Sequence, residues 1–289
     1  MTKFRRKLVF FLEHYSVIKA TEEICQVGRI LFDKGFVASN DGNLSVRISE
    51  EVILTTPTGV SKGFLKPDML VKLNLQGDVL EGTLEPSSEL KMHLRVYSER
   101  QDVRAIVHAH PPYATTYAIA GIPLNQAMMP EAVIALGTVP IVEYGTPSTE
   151  EIPNAVAHYI HSYHALLLEN HGALTWGKDL FSAYFLMESL EFVAKVNFNV
   201  KLLGRERELS QGRVQELLDI KEKMGIKGES PLGISCDSGE SVCESPLTKT
   251  RMMVGMTRSE LETLVEMITE KVLFKNREFD SRVTTDTTA

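Results

Sequence analysis

The chain has 289 residues, of which 43% are apolar and 24% charged, as is usual for a globular protein with a sizeable core. Its formal net charge of −7 argues against a nucleic-acid surface, and no apolar run reaches the about 18–20 residues that a membrane span requires. The sparse cysteines, Cys25, Cys236 and Cys243, predict a reducing, cytoplasmic compartment and no disulfide framework.

The first predicted elements are a helix and a group of strands. Apolar residues at helical spacing predict an amphipathic helix over 16–35. Alternation over 44–48 and an apolar run over 52–56 predict two strands, and a turn at 77–78 predicts a hairpin. Residues 87–99 are predicted to be helical. These elements favour a mixed α/β fold.

The second half of the domain repeats the alternation of strands and helices. Residues 103–108 and 165–168 are short apolar runs that predict buried strands. Residues 149–162 and 178–202 are predicted helices, the second of them long and apolar along one face. The resulting α/β domain is predicted to span residues 1–210.

A C-terminal extension of different composition follows this domain. Residues 211–256 are predicted to be a largely flexible linker, because their latter half is rich in glycine, serine, proline and charge. A capping-box pattern followed by an apolar stripe predicts an amphipathic helix over 257–275. The polar residues 276–289 are predicted to be disordered.

Three histidines carry the strongest chemical signal. His108 and His110 are two residues apart, so on a strand both side chains point to the same side. His171 follows the apolar run 165–168, and strand ends in α/β folds are where functional sites gather. A bare His-x-His pair is more often incidental. Three imidazoles with an open fourth position are nevertheless typical of catalytic zinc, so we predict a metal site.

Several polar residues accompany the histidines. Glu89, at the start of a predicted helix, is on its own a capping carboxylate, but beside a metal it becomes a candidate general base. Ser87 and Ser88 offer hydroxyls and amides to an anion. The turns at 40–43 and 56–62 can add amides, hydroxyls and one lysine to an anion site. The sequence has no P-loop motif, which argues against a P-loop nucleotide site. The remaining histidines, which lack such settings, are predicted to be ordinary surface or core residues: His14, His93, His158, His161 and His164.

Five short motifs together resemble the class II aldolase and adducin-head family. The resemblance covers roughly residues 20–205, and the motifs stand in the family's order. They are residues 41–45, 56–59, 86–89, 108–110 and 170–172. The resemblance implies an αβα three-layer sandwich that assembles as a homotetramer.

The resemblance also implies a role for each matching residue. His108, His110 and His171 would bind one Zn²⁺ per subunit, and Glu89 would be the catalytic acid/base. The substrate phosphate would be bound by residues that present amides and hydroxyls: Asn43, Thr58, Gly59, Ser87 and Ser88.

The implied activity is retro-aldol cleavage of a ketose 1-phosphate. L-Fuculose 1-phosphate or L-rhamnulose 1-phosphate would give dihydroxyacetone phosphate and L-lactaldehyde. Ribulose-phosphate 4-epimerase and methylthioribulose-phosphate dehydratase activities are same-fold alternatives. A non-catalytic module like an adducin head is an alternative of another class, although adducin heads tend to lose the metal residues that this chain retains.

Two features depart from the family pattern. Fuculose-phosphate aldolase has a tyrosine where this chain reads residues 126–132 without one, so Glu131 or Tyr144 are the alternatives and the released aldehyde stays open. The tethered helix at 257–275 resembles an encapsulation peptide, which implies a bacterial microcompartment shell protein as a partner. The alternative is that this helix packs on its own enzyme.

Overall fold

The structure is a computed structural model that describes residues 3–226, with side chains described from Val17 onwards. The predictions for the rest of the linker, the helix at 257–275 and the tail at 276–289 lie outside the described residues. No helix in the described part of the chain is long and apolar enough to cross a bilayer.

Eight strands form one sheet at the centre of the domain. They are β1 (Asn43–Arg47), β2 (Val52–Thr55), β3 (Val71–Asn74), β4 (Val79–Glu81), β5 (Ala105–Ala109), β6 (Ile141–Val142), β7 (Ala165–Leu168) and β8 (Gly172–Gly177). Their order is β4-β3-β2-β1-β5-β8-β7-β6. Every neighbouring pair is antiparallel except β6 and β7, which are parallel.

The described part of the chain contains six α-helices. They are α1 (Lys3–Asp33), α2 (Leu90–Glu99), α3 (Pro112–Ala120), α4 (Glu151–Ala157), α5 (Leu180–Leu203) and α6 (Gln211–Lys223). Short 3-10 turns occupy Lys62–Phe64 and Pro67–Met69, and a π-helical turn occupies Ala132–Leu136.

The two faces of the sheet bury separate apolar cores. One core joins the sheet to α1, α3 and α5, and the other joins it to α2 and α4. In β5 the side chains of Ala105, Val107 and Ala109 enter the first core, whereas Ile106 enters the second. This alternation is the period-two pattern of a strand buried on both faces. The predicted αβα three-layer sandwich is confirmed.

The structure corrects the bounds of two predicted helices. The helix predicted over 87–99 begins at Leu90, because the preceding segment is held against the loop after β2, where the amide of Ser87 donates to the carbonyl of Thr56 at 3.3 Å. The helix predicted over 149–162 is shortened to α4, with Pro153 in the first turn, where a proline is tolerated.

The predicted linker boundary at residue 211 was wrong, because α6 occupies Gln211–Lys223. Val214 on this helix is buried and packs with Ala127 and Val133. Leu217 and Leu218 lie at helical spacing from Val214 and also pack against this small core. The folded unit therefore extends beyond residue 210.

Candidate active site

The three predicted histidines converge on one point. His108 lies on β5, His110 directly follows that strand, and His171 lies in the connection between β7 and β8, which pair with each other beside β5. One ligand nitrogen from each ring lies within 4.8 Å of the others. The ring centroids are 4.7–5.0 Å apart.

The hydrogen bonds of His108 suit a metal ligand. Its Nδ1 lies 2.9 Å from the carbonyl oxygen of Ala173, so Nδ1–H donates there and Nε2 is the nitrogen that faces His110. That Nε2 lies 3.2 Å from Nε2 of His110. Burial, reinforced by the proximity of His108 and His171, lowers the pKa of His110 to about 3, which keeps this imidazole neutral. Three imidazoles beside a carboxylate fit a divalent transition metal.

Glu89 lies beside the histidines. Its carboxylate oxygens are 3.3 Å from Nε2 of His108 and 3.0 Å from Nε2 of His171. The side-chain amide of Asn43 donates to it at 3.0 Å. Burial by itself would raise the pKa of Glu89, but the charges and hydrogen bonds of His108 and His171 outweigh burial and hold the pKa below its ordinary value. Glu89 is therefore an ionised carboxylate at neutral pH.

Two glycines permit the close approaches that the site requires. Gly42 has φ +71°, and a Cβ there would lie 2.7 Å from the carbonyl oxygen of His108. A Cβ on Gly172 would lie 2.4 Å from the ring of His110. Asn170, with φ 53°, forms the tight turn that presents His171. Any larger residue at either glycine would displace a histidine from the cluster.

An open cleft of about 240 Å³ leads to the histidines. Of the residues predicted to bind phosphate, Asn43, Thr58, Ser87 and Ser88 line this cleft, together with Glu89. Gly59 has φ +71° and shapes the turn beside it, but is not itself part of the lining. Hydroxyls and a carboxylate thus share one cavity with the imidazoles.

The turns at 40–43 and 56–62 add two charged residues to the cleft, and of these the sequence predicted a phosphate contact only for the lysine. Asp41 lies 3.7 Å from Nδ1 of His110 and lines the cleft, as does Lys62. The sequence predicted a turn at 40–43, where Gly42 has positive φ, but it did not predict the direction of the Asp41 side chain.

A buried polar cluster lies behind Glu89. His93 is fully buried, and its Nδ1 lies 2.7 Å from the hydroxyl of Ser45, which is 2.9 Å from the hydroxyl of Tyr97. Burial, with the nearby charge of His108, lowers the pKa of His93 to about 3. The sequence predicted an ordinary surface or core histidine here, and His93 is a core residue of α2.

The alternatives for the missing tyrosine lie elsewhere. Tyr144 is 55% exposed, and its backbone amide donates to Glu169 at 2.8 Å. Neither Tyr144 nor Glu131 is among the residues that line the cleft.

Comparison with known proteins gives a family and several related activities. Residues 22–198 match the family model described as Class II Aldolase and Adducin N-terminal domain. An L-fuculose phosphate aldolase from Methanococcus maripaludis is 34% identical over 176 residues, which cover 61% of this chain and 94% of that protein. A solved structure of L-fuculose 1-phosphate aldolase aligns with a TM-score of 0.66 and 31% identity, covering 72% of this chain and 96% of its own.

Two other relatives carry different activities. A 5-deoxy-D-ribulose 1-phosphate aldolase from Bacillus thuringiensis is 33% identical and covers 69% of this chain and 93% of that protein. A 3-oxo-tetronate 4-phosphate decarboxylase from Pectobacterium atrosepticum is 34% identical and covers 62% of this chain and 84% of that protein.

Proposed function

The chain belongs to the class II aldolase and adducin N-terminal domain family and is a metal-dependent lyase of the class II aldolase type, and from this premise we propose that it cleaves a ketose 1-phosphate with zinc as the metal. The products are dihydroxyacetone phosphate and a small aldehyde. L-Fuculose 1-phosphate is the leading substrate and L-rhamnulose 1-phosphate the second, each releasing L-lactaldehyde. One observation carries the proposal: three imidazoles and a carboxylate meet at the end of a hydroxyl-lined cleft.

In this proposal His108, His110 and His171 would hold the metal. A bound zinc ion would supply Lewis-acid stabilisation of the negative charge that cleavage leaves on the ketone oxygen. Nδ1–H of His108 donates to the carbonyl of Ala173, which would leave Nε2 for the metal. A Schiff base between the substrate and a lysine is not required for this chemistry.

Glu89 moves the proton. Cleavage breaks one carbon–carbon bond, whose electron pair stays on the ketone fragment, and one proton passes from the departing hydroxyl to the new carbanion carbon. Glu89 is the ionised carboxylate nearest the histidines, and the amide of Asn43 orients it. The hydroxyls of Thr58, Ser87 and Ser88, the side chain of Asn43 and the turn at Gly59 form the proposed phosphate site.

Decarboxylation is a second candidate, favoured by the decarboxylase that is 34% identical to this chain. Loss of CO₂ from a 3-oxo-tetronate 4-phosphate leaves the same kind of enediolate, and protonation of that enediolate gives dihydroxyacetone phosphate. The same carboxylate and phosphate residues serve both reactions, so the second product distinguishes them.

The test is a panel assay on the full-length, zinc-loaded protein. Ketose 1-phosphates, including L-fuculose, L-rhamnulose and 5-deoxy-D-ribulose 1-phosphates, and a 3-oxo-tetronate 4-phosphate are each supplied. Dihydroxyacetone phosphate, aldehyde and CO₂ are measured separately. We expect dihydroxyacetone phosphate and an aldehyde in equal amounts from L-fuculose 1-phosphate. Release of CO₂ without aldehyde would replace the aldolase proposal with the decarboxylase, and no product from any ketose phosphate would refute it.

We also propose that the enzyme is a homotetramer. Phe185 and Phe192 lie seven residues apart on α5, hence on one face, and each is 55% exposed. Apolar side chains of this size that face solvent in one chain are commonly covered by another subunit. Light scattering is expected to give four chains per particle, and Phe192→Asp is expected to lower that number.

The partner proposed for the predicted helix at 257–275 is a microcompartment shell protein. An amphipathic helix can bury its apolar stripe in a groove of a partner. Deletion of residues 250–289 is expected to leave cleavage intact and to abolish co-purification with shell protein. Co-purification of the truncated enzyme at the full-length level would refute this role.

A further inference from the structure

Lys62 is a buried cation in the wall of the cleft. Its relative exposure is 1%, yet it lines the cleft that leads to the histidines. No arginine and no other lysine belongs to the lining among the residues that the structure describes. Two carboxylates, Asp41 and Glu89, line the same cleft. An anionic ligand entering this cleft therefore meets one fixed ammonium group.

The two hydrogen bonds of Lys62 leave one N–H donor of its ammonium group for a ligand. Nζ donates to the carbonyl oxygens of Asn40 and Val60, each at 2.7 Å. An ammonium group has three N–H donors, so one remains for a ligand. Both hydrogen-bond partners are neutral, so they compensate the buried charge only in part. An anion bound in the cleft would compensate it further.

Electrostatics keep Lys62 charged at neutral pH. Burial lowers the pKa of Lys62 to about 8, and the carboxylates of Asp41 and Glu89 oppose that shift. At pH 7 most of the side chain is protonated. The ammonium form is thus the one that meets a ligand.

The backbone of Lys62 is fixed against α1. A Cβ on Gly28 of that helix would lie 2.8 Å from the carbonyl oxygen of Lys62. A Cβ on Gly63 would lie 2.5 Å from the ring of Phe32. Two glycines thus allow α1 to contact the turn Lys62–Phe64 directly, which fixes the starting point of the lysine side chain. Such rigidity suits a binding group, since little ordering remains to be done when the ligand arrives.

We propose that Lys62 is a specificity-determining residue, whose third N–H donates to the substrate phosphate and whose charge selects phosphorylated over unphosphorylated ketoses. This inference rests on the proposed function, because it extends the phosphate site of that proposal. The hydroxyls and amides of that site are neutral donors. A charge-assisted hydrogen bond adds to them an interaction that an unphosphorylated sugar cannot make.

The binding test uses methyl phosphate with the full-length, metal-loaded protein. Affinity is measured by ³¹P NMR titration for the wild type, Lys62→Met, Lys62→Gln and the control Lys66→Met. Lys66 is exposed and outside the cleft lining, so its variant removes the same charge without touching the site. Loss of one charge-assisted hydrogen bond is expected to weaken binding about 10- to 100-fold in both Lys62 variants and not in Lys66→Met.

Circular dichroism and metal content establish that each variant is folded and loaded. Lys62→Gln provides a second variant, because its amide can still donate to one of the two carbonyls that Lys62 satisfies. Affinity equal to the wild type in a folded Lys62 variant would overturn the proposal.

A kinetic comparison separates binding from a merely structural role. The ratio of kcat/KM for a ketose 1-phosphate to that for the unphosphorylated ketose is expected to fall in Lys62→Met. Equal losses for both substrates would mean that Lys62 only supports the fold, and would overturn the inference. Methyl phosphate has no carbon–carbon bond to cleave, so the binding result is independent of the reaction. Failure of the aldolase assay with an intact Lys62 effect would therefore refute the proposed function alone.

Discussion

Replacing Glu89 with glutamine is the sharpest perturbation of the proposed chemistry. Glutamine has the size of glutamate, and its carbonyl oxygen can still accept the hydrogen bond that Asn43 donates at 3.0 Å. It cannot carry a proton between substrate atoms. His108, His110 and His171 are untouched, and their nitrogens remain within 4.8 Å of one another. Glu89→Gln is therefore expected to remove proton transfer while metal binding persists.

The expected loss follows from the role assigned to Glu89. Loss of a positioned general acid/base lowers kcat about 10²- to 10⁴-fold, or about 3–5 kcal/mol in the barrier. The proposed phosphate site consists of residues that the change does not alter, so KM is expected to change much less than kcat.

The assay compares Glu89→Gln with Glu85→Gln, an exposed carboxylate four residues earlier in the chain and outside the cleft lining. Steady-state release of dihydroxyacetone phosphate and metal content per chain are measured for both variants. We expect full metal content in both and full activity in Glu85→Gln alone. Near-wild-type kcat in Glu89→Gln would refute the assignment of Glu89 as the proton carrier, and loss of metal would make it chiefly a ligand.

Three further predictions concern packing and charge. Gly172→Ala would bring a Cβ within 2.4 Å of the His110 ring, so metal affinity measured by chelator competition is expected to fall about 10- to 100-fold, whereas Gly212→Ala, with nothing within 4 Å, is expected to leave it unchanged. Val214→Ala is expected to lower the free energy of unfolding in urea by about 2 kcal/mol, and Ile220→Ala, at a position 43% exposed on the same helix, by much less; equal effects would mean that α6 does not pack on the domain. Burial lowers the pKa of Lys62 from 10.5 to about 8, so the unfolded chain binds more protons than the folded chain between these pH values. The free energy of unfolding of the metal-free wild type is therefore expected to rise relative to that of Lys62→Met from pH 8 to pH 10.5, by up to about 3 kcal/mol. Parallel stability curves for the two proteins would contradict this.

Local patterns in the sequence were sufficient to single out the three histidines that the structure brings together. Two histidines at a spacing of two must share one side of a strand, and β5 places His108 on the α2 face, with His110 immediately after it. A turn that needs a left-handed residue presents His171, and Asn170 supplies that residue. The inference from the His-x-His spacing rests on short-range geometry, which a single sequence carries, whereas His171 was singled out because it follows a predicted strand.

Contacts set by strand register and tertiary packing were not predictable in the same way. Asn43 reaches Glu89 because it lies opposite His108 in the antiparallel pairing of β1 with β5. Ser45 contacts His93 through the same register, two residues further along β1. The sequence shows neither pairing, so the buried cluster behind Glu89 could not be assembled from it.

The predicted linker boundary was wrong for a related reason. Val214 has an apolar partner only because Ala127 and Val133 lie beside it in the folded domain. A short, mostly polar helix of this kind derives its stability from packing rather than from its own propensity. The composition of the segment after residue 210 therefore suggested a linker, although its first part is folded.

Metal content per chain, measured together with activity, tests the central claim most directly. We predict one zinc ion per chain in the wild type, and loss of both metal and cleavage in His108→Ala and His171→Ala. Chelator is predicted to abolish wild-type activity and added zinc to restore it. Metal-free protein that cleaves its sugar phosphate at the full rate would contradict the account, as would full metal content in either histidine variant.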